Sequence, residues 1–206
     1  MEHKIIVVGI GPGSEDYLLP IAKKTIDFAK VLVGSKRSLS SFQNKMALTH
    51  AITGEIEAAL AFIEENLKSQ DVVVMVSGDP GYYSFLTALN KRFSCIEVIP
   101  GISSMQLAFA RLALPWHDAD LISLHGREVD LARLKYSKGR KLGFLTDSKY
   151  TSATIASLLL KNDWPQNVQL YACNHLSYEN ESIVTMTLQE AASTVEYKNC
   201  IVVVIA

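Results

Sequence analysis

Val72-Val73-Val74-Met75-Val76-Ser77-Gly78-Asp79-Pro80-Gly81-Tyr82-Tyr83-Ser84 decides the fold. Its first five residues are an unbroken apolar run of strand length, and Phe85-Leu86-Thr87-Ala88-Leu89 beyond it opens a helix. A strand that is apolar on both faces is buried on both faces, the habit of a parallel sheet covered by helices. In such sheets ligands sit at the loops that leave the carboxyl ends of the strands. Gly78 and Gly81 allow a tight backbone there, Pro80 stiffens the turn, Asp79 sets a carboxylate at its rim, and Tyr82 and Tyr83 add flat faces with polar tips. The same residues also suit a plain strand-to-helix turn capped by Asp79. A second loop of similar character one βα unit later, Pro100-Gly101-Ile102-Ser103-Ser104, favours the ligand-binding reading.

Working outward, residues 4–8 form a first strand that runs into Gly9-Ile10-Gly11-Pro12-Gly13-Ser14. A helix follows from about residue 18, with Pro20 tolerated in its first turn. Residues 31–33 read as a strand and Gly34-Ser35-Lys36-Arg37-Ser38 as the loop after it. Ile56, Ala59, Leu60, Ile63 and Leu67 recur at helical spacing across 55–68, the pattern of a surface helix packed on a sheet. Helices are expected over 82–91 and 103–112, with a strand over 96–99 between them. Leu114-Pro115-Trp116-His117-Asp118 interrupts the pattern and is taken as the domain boundary, giving an N-terminal α/β domain over 1–113 and a C-terminal one over 117–206. Strands are expected in the second half at 121–124, 141–145, 167–173, 182–187 and 200–205, with helices at 128–134, 148–160 and 188–192. Strand and helix alternate through the first half, which indicates a parallel sheet, while two successive strands near the end indicate a mixed one.

With 206 residues, half of them apolar, the chain can bury a sizeable core. A formal net charge of -1 leaves no electrostatic footprint for nucleic acid or an anionic membrane. Cys95, Cys173 and Cys200 lie far apart with no CxxC spacing, which argues against a disulfide framework or structural zinc and for a reducing compartment. No signal peptide and no apolar run of membrane-spanning length stand out, so a cytoplasmic protein is expected.

The glycine loop at 9–13 is not a dinucleotide fingerprint. Ser14 stands where the third glycine belongs, and no acid follows about 20 residues on, where the second strand ends in Val33-Gly34-Ser35. Pro12 also removes an amide that a phosphate would use. No GK[ST] completes a P-loop. A ligand-contacting turn and a purely structural one both remain open for this stretch. Paired carboxylates and GxSxG are not found, and His117, His125 and His175 are scattered singly.

In order and separation, Val8-Gly9-Ile10-Gly11-Pro12-Gly13-Ser14, Ser77-Gly78-Asp79-Pro80-Gly81 and Pro100-Gly101-Ile102-Ser103-Ser104 resemble the tetrapyrrole methyltransferase family, which uses S-adenosylmethionine in corrin and sirohaem synthesis. The likeness is nearest to its cobalt-precorrin C5-methyltransferases of the CbiE type. It rests there on Gly34-Ser35-Lys36-Arg37, Gly81-Tyr82-Tyr83-Ser84, Ser103-Ser104-Met105-Gln106 with Arg111, Leu121-Ile122-Ser123-Leu124-His125-Gly126-Arg127, and Leu176-Ser177-Tyr178-Glu179 with Glu181.

The resemblance implies two α/β domains with the cofactor in the cleft between them, usually in a homodimer. It also implies methylation of C5 of a cobalt-precorrin on the anaerobic route to cobalamin, with cobalt arriving in the substrate and no metal held by the protein. A separate or fused partner of the CbiT type would methylate C15 and remove a carboxyl group. By motif position, Gly78, Asp79, Tyr82, Ser103 and Ser104 are expected to contact S-adenosylmethionine, with Pro12 and Thr146 close to it. Lys36, Arg37, Tyr83, His125 and Arg127 are expected to meet the substrate. Lys36 and Arg37 suit its peripheral carboxylates, and equally suit a solvated loop. Asn174 and Glu179 are expected to shape the cleft from the second domain.

Ser35 occupies the place where a relative in sirohaem synthesis has a proposed basic aspartate, so no catalytic base is carried over; His125, His117 and Asp79 are candidates by location only. Rival readings are a methyltransferase of this fold acting at another tetrapyrrole position, a noncatalytic cofactor-binding subunit and, against the failed fingerprint, a nicotinamide dehydrogenase.

Overall fold

The computed structural model describes residues 3–42, 44–126, 128–194 and 196–206, and its contacts divide the chain into two compact units, one up to Ser103 and one from Ser104 on. The first unit is β1 (Ile5–Gly9), α1 (Pro20–Asp27), β2 (Val31–Ser35), α2 (Lys36–Ser41), β3 (Leu48–Ile52), α3 (Ile56–Asn66), β4 (Val72–Val76), α4 (Leu86–Leu89) and β5 (Ile96–Ile99). Its five strands form one parallel sheet in the order β3-β2-β4-β1-β5. Strand alternation sorts the apolar runs onto two faces. Ile5, Val7, Val31, Val33, Val72, Val74 and Val76 join Leu60, Ile63 and Leu89 of α3 and α4 in one core. Val8, Leu32, Val73 and Met75 join Ala22 and Ile26 of α1, with Leu39 of α2 beside them, in another. A one-residue slip of β4 would exchange its two sets, so burial on both sides fixes the register.

Local devices end the helices. Pro20 stands at the start of α1, where its missing N–H costs nothing. At the other end, the Asn44 carboxamide nitrogen lies 2.9–3.1 Å from the carbonyl oxygens of Ile26, Asp27 and Ala29, which satisfies acceptors that a helix terminus leaves open. Arg92, just after α4, pairs with Glu57 at 3.0 Å and Glu64 at 2.5 Å, and so ties α4 to α3.

The second unit is α5 (Ser104–Arg111), β6 (Ala119–Ser123), a 3-10 turn (Leu131–Leu134), β7 (Lys141–Leu145), α6 (Ser152–Leu160), β8 (Gln169–Asn174), β9 (Ser182–Thr187), α7 (Leu188–Ser193) and β10 (Ile201–Ile205). Its sheet has the order β6-β7-β10-β8-β9. β6 runs parallel to β7, and β10 is antiparallel to both neighbours, so the sheet is mixed. One face is covered by α6 and α7 through Phe144, Leu142, Val202, Val204, Ile155, Leu159 and Leu188. Thr187 starts α7 with a capping box, its hydroxyl accepting the Glu190 N–H while the Glu190 carboxylate accepts the Thr187 N–H. The other face receives α5. A Cβ on Gly143 of β7 would stand 2.6 Å from the Met105 sulfur, so this glycine admits the helix.

Four features depart from the sequence reading. β3 was not anticipated. Residues 34–38 are not a loop: β2 runs through Ser35, whose hydroxyl accepts the Ser38 N–H at 3.0 Å and caps α2 directly. The helix expected over 82–91 shortens to Leu86–Leu89, because Tyr83 takes a left-handed φ of 50° and the chain turns before coiling. Finally, the compact units part at Ser103/Ser104, ahead of the 114–118 break, because α5 packs on β7 and β10.

Candidate functional site

β4, β1 and β5 are neighbours and parallel, so their exit turns emerge side by side at the carboxyl edge of the first sheet. The three turns interlock through glycine. A Cβ on Gly101 would fall 2.2 Å from the Gly78 carbonyl oxygen and 2.8 Å from the Gly9 Cα, and one on Gly9 would meet Gly101 at 2.7 Å. Gly78, at φ 68°, exchanges two main-chain hydrogen bonds with Gly11, donating at 2.8 Å and accepting at 3.3 Å. Asp79 then joins the β4 and β5 turns: one carboxylate oxygen accepts the Gly81 N–H at 2.8 Å, the other the Gly101 N–H at 3.0 Å. Three loops from distant parts of the sequence thus form one rigid lip.

Most of the expected cofactor residues of the first unit lie on this lip. Pro12 and Tyr82 are half-buried, and Ser103 is buried, with its Cα packed against Gly78. The Tyr82 and Tyr83 rings meet edge to face at 4.8 Å, and Tyr83 is exposed. Lys36 and Arg37 are exposed in the first turn of α2, at the same sheet edge. The turn after β1 does not offer a phosphate nest. The Gly11 amide is engaged by Gly78, Pro12 has none, and the short 3-10 turn that follows opens with exposed Glu15 and Asp16. Negative charge at that helical start disfavours a pyrophosphate and carries no penalty for a cationic ligand such as a sulfonium. A glycine-tight lip lined by main chain therefore suits the S-adenosyl group better than a dinucleotide.

In the second unit β6, β7 and β8 point the same way, so their exit turns also share an edge. Thr146, buried after β7, uses its hydroxyl on the main chain at the start of β10, donating to the Cys200 carbonyl and accepting the Cys200 N–H, each at 2.8 Å. The Thr146 N–H also donates to the Cys200 carbonyl, at 3.3 Å, so side chain and amide are tied to the same residue. His125 is exposed in the turn after β6, and Arg127 lies outside the described residues. Ser104 begins α5. Asn174 is buried at the end of β8, while His117 and Glu179 are exposed.

Sequence reasoning gave no role to two anchors in this unit, although Glu181 stood among the residues that carry the resemblance. Glu181 pairs with Arg111 at 2.5 Å and accepts the Ser177 N–H at 2.6 Å. It thereby holds a turn in which His175 and Ser177 have left-handed φ values of 47° and 74°. These bonds, with Arg111 first among them, hold the Glu181 carboxyl below its ordinary range. Asp147 bonds across to Gly126, as Asp79 does to Gly101. The signal that Asp79 and Asp147 share in the sequence is an acid two or three residues beyond an apolar strand.

The family profile of tetrapyrrole (corrin/porphyrin) methylases matches residues 4–192. The chain belongs to the tetrapyrrole methylase family. This methylase is 34% identical over 198 residues, covering 92% of each chain, to a probable cobalt-precorrin-7 C(5)-methyltransferase of Methanocaldococcus jannaschii. It is 32% identical over 181 residues to the cobalt-precorrin-7 C(5)-methyltransferase of Salmonella typhimurium, covering 87% of this chain and 88% of that one. Its fold matches the crystal structure of a uroporphyrin-III C-methyltransferase from Thermus thermophilus complexed with S-adenosylhomocysteine, at TM-score 0.76 and 20% identity, covering 98% of the methylase and 91% of that chain.

Proposed function

We propose that this methylase transfers the methyl group of S-adenosylmethionine to C5 of cobalt-precorrin-7 in cobalamin biosynthesis. The observation that carries the reading is the near full-length similarity, above 30% identity, to cobalt-precorrin-7 C(5)-methyltransferases. The lip built by the turns after β1, β4 and β5 supports it on physical grounds. Gly78, Tyr82, Ser103 and Ser104 contact the cofactor in this proposal, with Pro12 and the main chain at Thr146 beside it. Asp79 acts there chiefly as the strut that sets the Gly81 and Gly101 amides.

In the reaction proposed, a carbon–sulfur bond of the sulfonium breaks as an electron-rich meso carbon of the reduced tetrapyrrole forms a carbon–carbon bond to the methyl group. The carbon then loses a proton, and the donor leaves as the thioether. A rigid lip contributes orientation, which by itself removes several kcal/mol of such a barrier. Lys36 and Arg37 meet the peripheral carboxylates as charge-assisted donors, and Tyr83 and His125 are further substrate contacts. Cobalt belongs to the substrate. A cytoplasmic homodimer, working with a C15-methyltransferase and decarboxylase of the CbiT type, completes the proposal.

Incubation of the purified chain with methyl-labelled S-adenosylmethionine and cobalt-precorrin-7, followed by mass spectrometry and NMR of the product, tests it. One labelled methyl at C5 is the expected result. Methylation at another ring position would replace the substrate assignment, and cofactor binding without transfer would make the chain a noncatalytic subunit.

A further inference from the structure

The turn after β7 carries a carboxylate that joins two loops as a strut. One oxygen of Asp147 accepts the main-chain N–H groups of Lys149, at 2.8 Å, and Tyr150, at 2.7 Å, forming the local turn that leads toward α6. The other accepts the N–H of Gly126 at 3.1 Å, 21 residues earlier, in the turn after β6. The main-chain ladder between β6 and β7 has already ended there, with the Leu124 N–H on the Leu145 carbonyl at 3.0 Å. His125 and Gly126 are exposed, Gly126 holds a left-handed φ of 65°, and a Cβ placed on it would meet nothing within 4 Å. Packing therefore does little to hold this turn, and the bond from Asp147 does much of it. The N–H groups of Tyr150, Gly126 and Lys149, with His125 nearby, keep the carboxyl below its ordinary range, so these are charge-assisted bonds.

We propose that Asp147 is a positioning residue, which fixes Gly126 and so sets the His125–Gly126 turn that meets the tetrapyrrole. The inference rests on the methyltransferase reading above and adds to it a residue that acts on the substrate without touching it. Two substitutions separate the cross-loop bond from the local turn. Asp147→Asn keeps a carbonyl oxygen for Lys149 and Tyr150 but turns an NH2 group toward Gly126. Asp147→Ser keeps a short acceptor for the local amides and cannot span to Gly126.

The test compares both variants with the unmodified chain by amide hydrogen exchange, S-adenosylhomocysteine titration and steady-state kinetics. In both variants the Gly126 amide is expected to exchange about tenfold faster or more, as loss of a hydrogen bond to a charged group implies. KM for cobalt-precorrin-7 should rise by about tenfold, with kcat changed less and the affinity for S-adenosylhomocysteine unchanged. Unaltered exchange at Gly126, or an unaltered KM in an active enzyme, would overturn the inference. So would a loss of cofactor affinity in step with thermal stability, since a purely structural role predicts that. An unmodified chain that transfers no methyl group would count against the methyltransferase reading alone. Exchange at Gly126 and direct titration of the tetrapyrrole would then decide the role of Asp147.

Discussion

The carboxylate of Asp79 accepts the main-chain N–H of Gly101 at 3.0 Å, across 22 residues of sequence and the whole of α4 and β5. Its second oxygen holds Gly81 at 2.8 Å, so the residue first expected to touch a ligand already has both oxygens engaged by main chain. Asp79→Asn cannot accept both N–H groups. We expect it to weaken S-adenosylhomocysteine binding by about tenfold or more, since a charge-assisted bond contributes about 1.5–3 kcal/mol. Isothermal titration measures this; wild-type affinity would show that the strut does not shape the ligand site.

Gly101→Ala is expected to damage the first unit directly. Its methyl group would sit 2.2 Å from the Gly78 carbonyl oxygen and 2.8 Å from the Gly9 Cα, main-chain atoms that no rotamer change can move. A cost of about 3 kcal/mol is expected in denaturant unfolding, at the upper end for overpacking. Gly54→Ala is the matched control. Nothing lies within 4 Å of its added methyl, so stability should stay level or rise by less than about 1 kcal/mol.

Acid should loosen the turn anchored by Glu181. Its folded pKa lies below the ordinary glutamate value of 4.5, with Arg111 the largest cause. The stabilisation is thus complete above the unfolded pKa and is lost as pH falls through the lower, folded one. Thermal melts between pH 6 and pH 3 should show a shallower acid decline for Glu181→Gln than for the unmodified chain, from a lower starting point at pH 6. Parallel curves would show that the Arg111 pair contributes nothing to the pH dependence.

The thiols should react in two classes. Burial pushes Cys173 up to about 12 and raises Cys200, whereas Cys95 is exposed. At pH 8 the two buried sulfurs remain protonated and shielded. Brief iodoacetamide treatment of the native protein should label Cys95 alone, and labelling in denaturant should reach all three cysteines, as read by peptide mass spectrometry. Rapid native labelling of Cys173 would contradict the packing of β8.

The parts of the fold that were legible are those where one strand's own residues settle its burial. Val72 to Val76 and residues 201–205 are apolar at every position, which leaves a sheet interior as their place. Leu48–Ile52 was missed because its Thr49 and His50 break the pattern, and as an edge strand it pairs with β2 alone. α2 was missed because its start is set by one hydroxyl, that of Ser35, acting within six residues of helix. For the site, the glycine loops after β1, β4 and β5 could be seen, but their interlock could not. The contact of Gly101 with Gly9 depends on which strands become neighbours, and the Arg111–Glu181 pair joins residues 70 apart. Such contacts exist only once the sheets are assembled.

The two sheets impose different orders of assembly during synthesis. In the first, the central link between the β2–β3 pair and β1 is β4, which is made before the last strand, β5, adds at an edge. In the second, β10 lies at the centre and is the sole link between the β6–β7 pair and the β8–β9 pair. Until residues 201–205 leave the ribosome, that half persists as two ribbons with bare inward edges, the kind of surface that recruits chaperones or pairs with a neighbouring nascent chain.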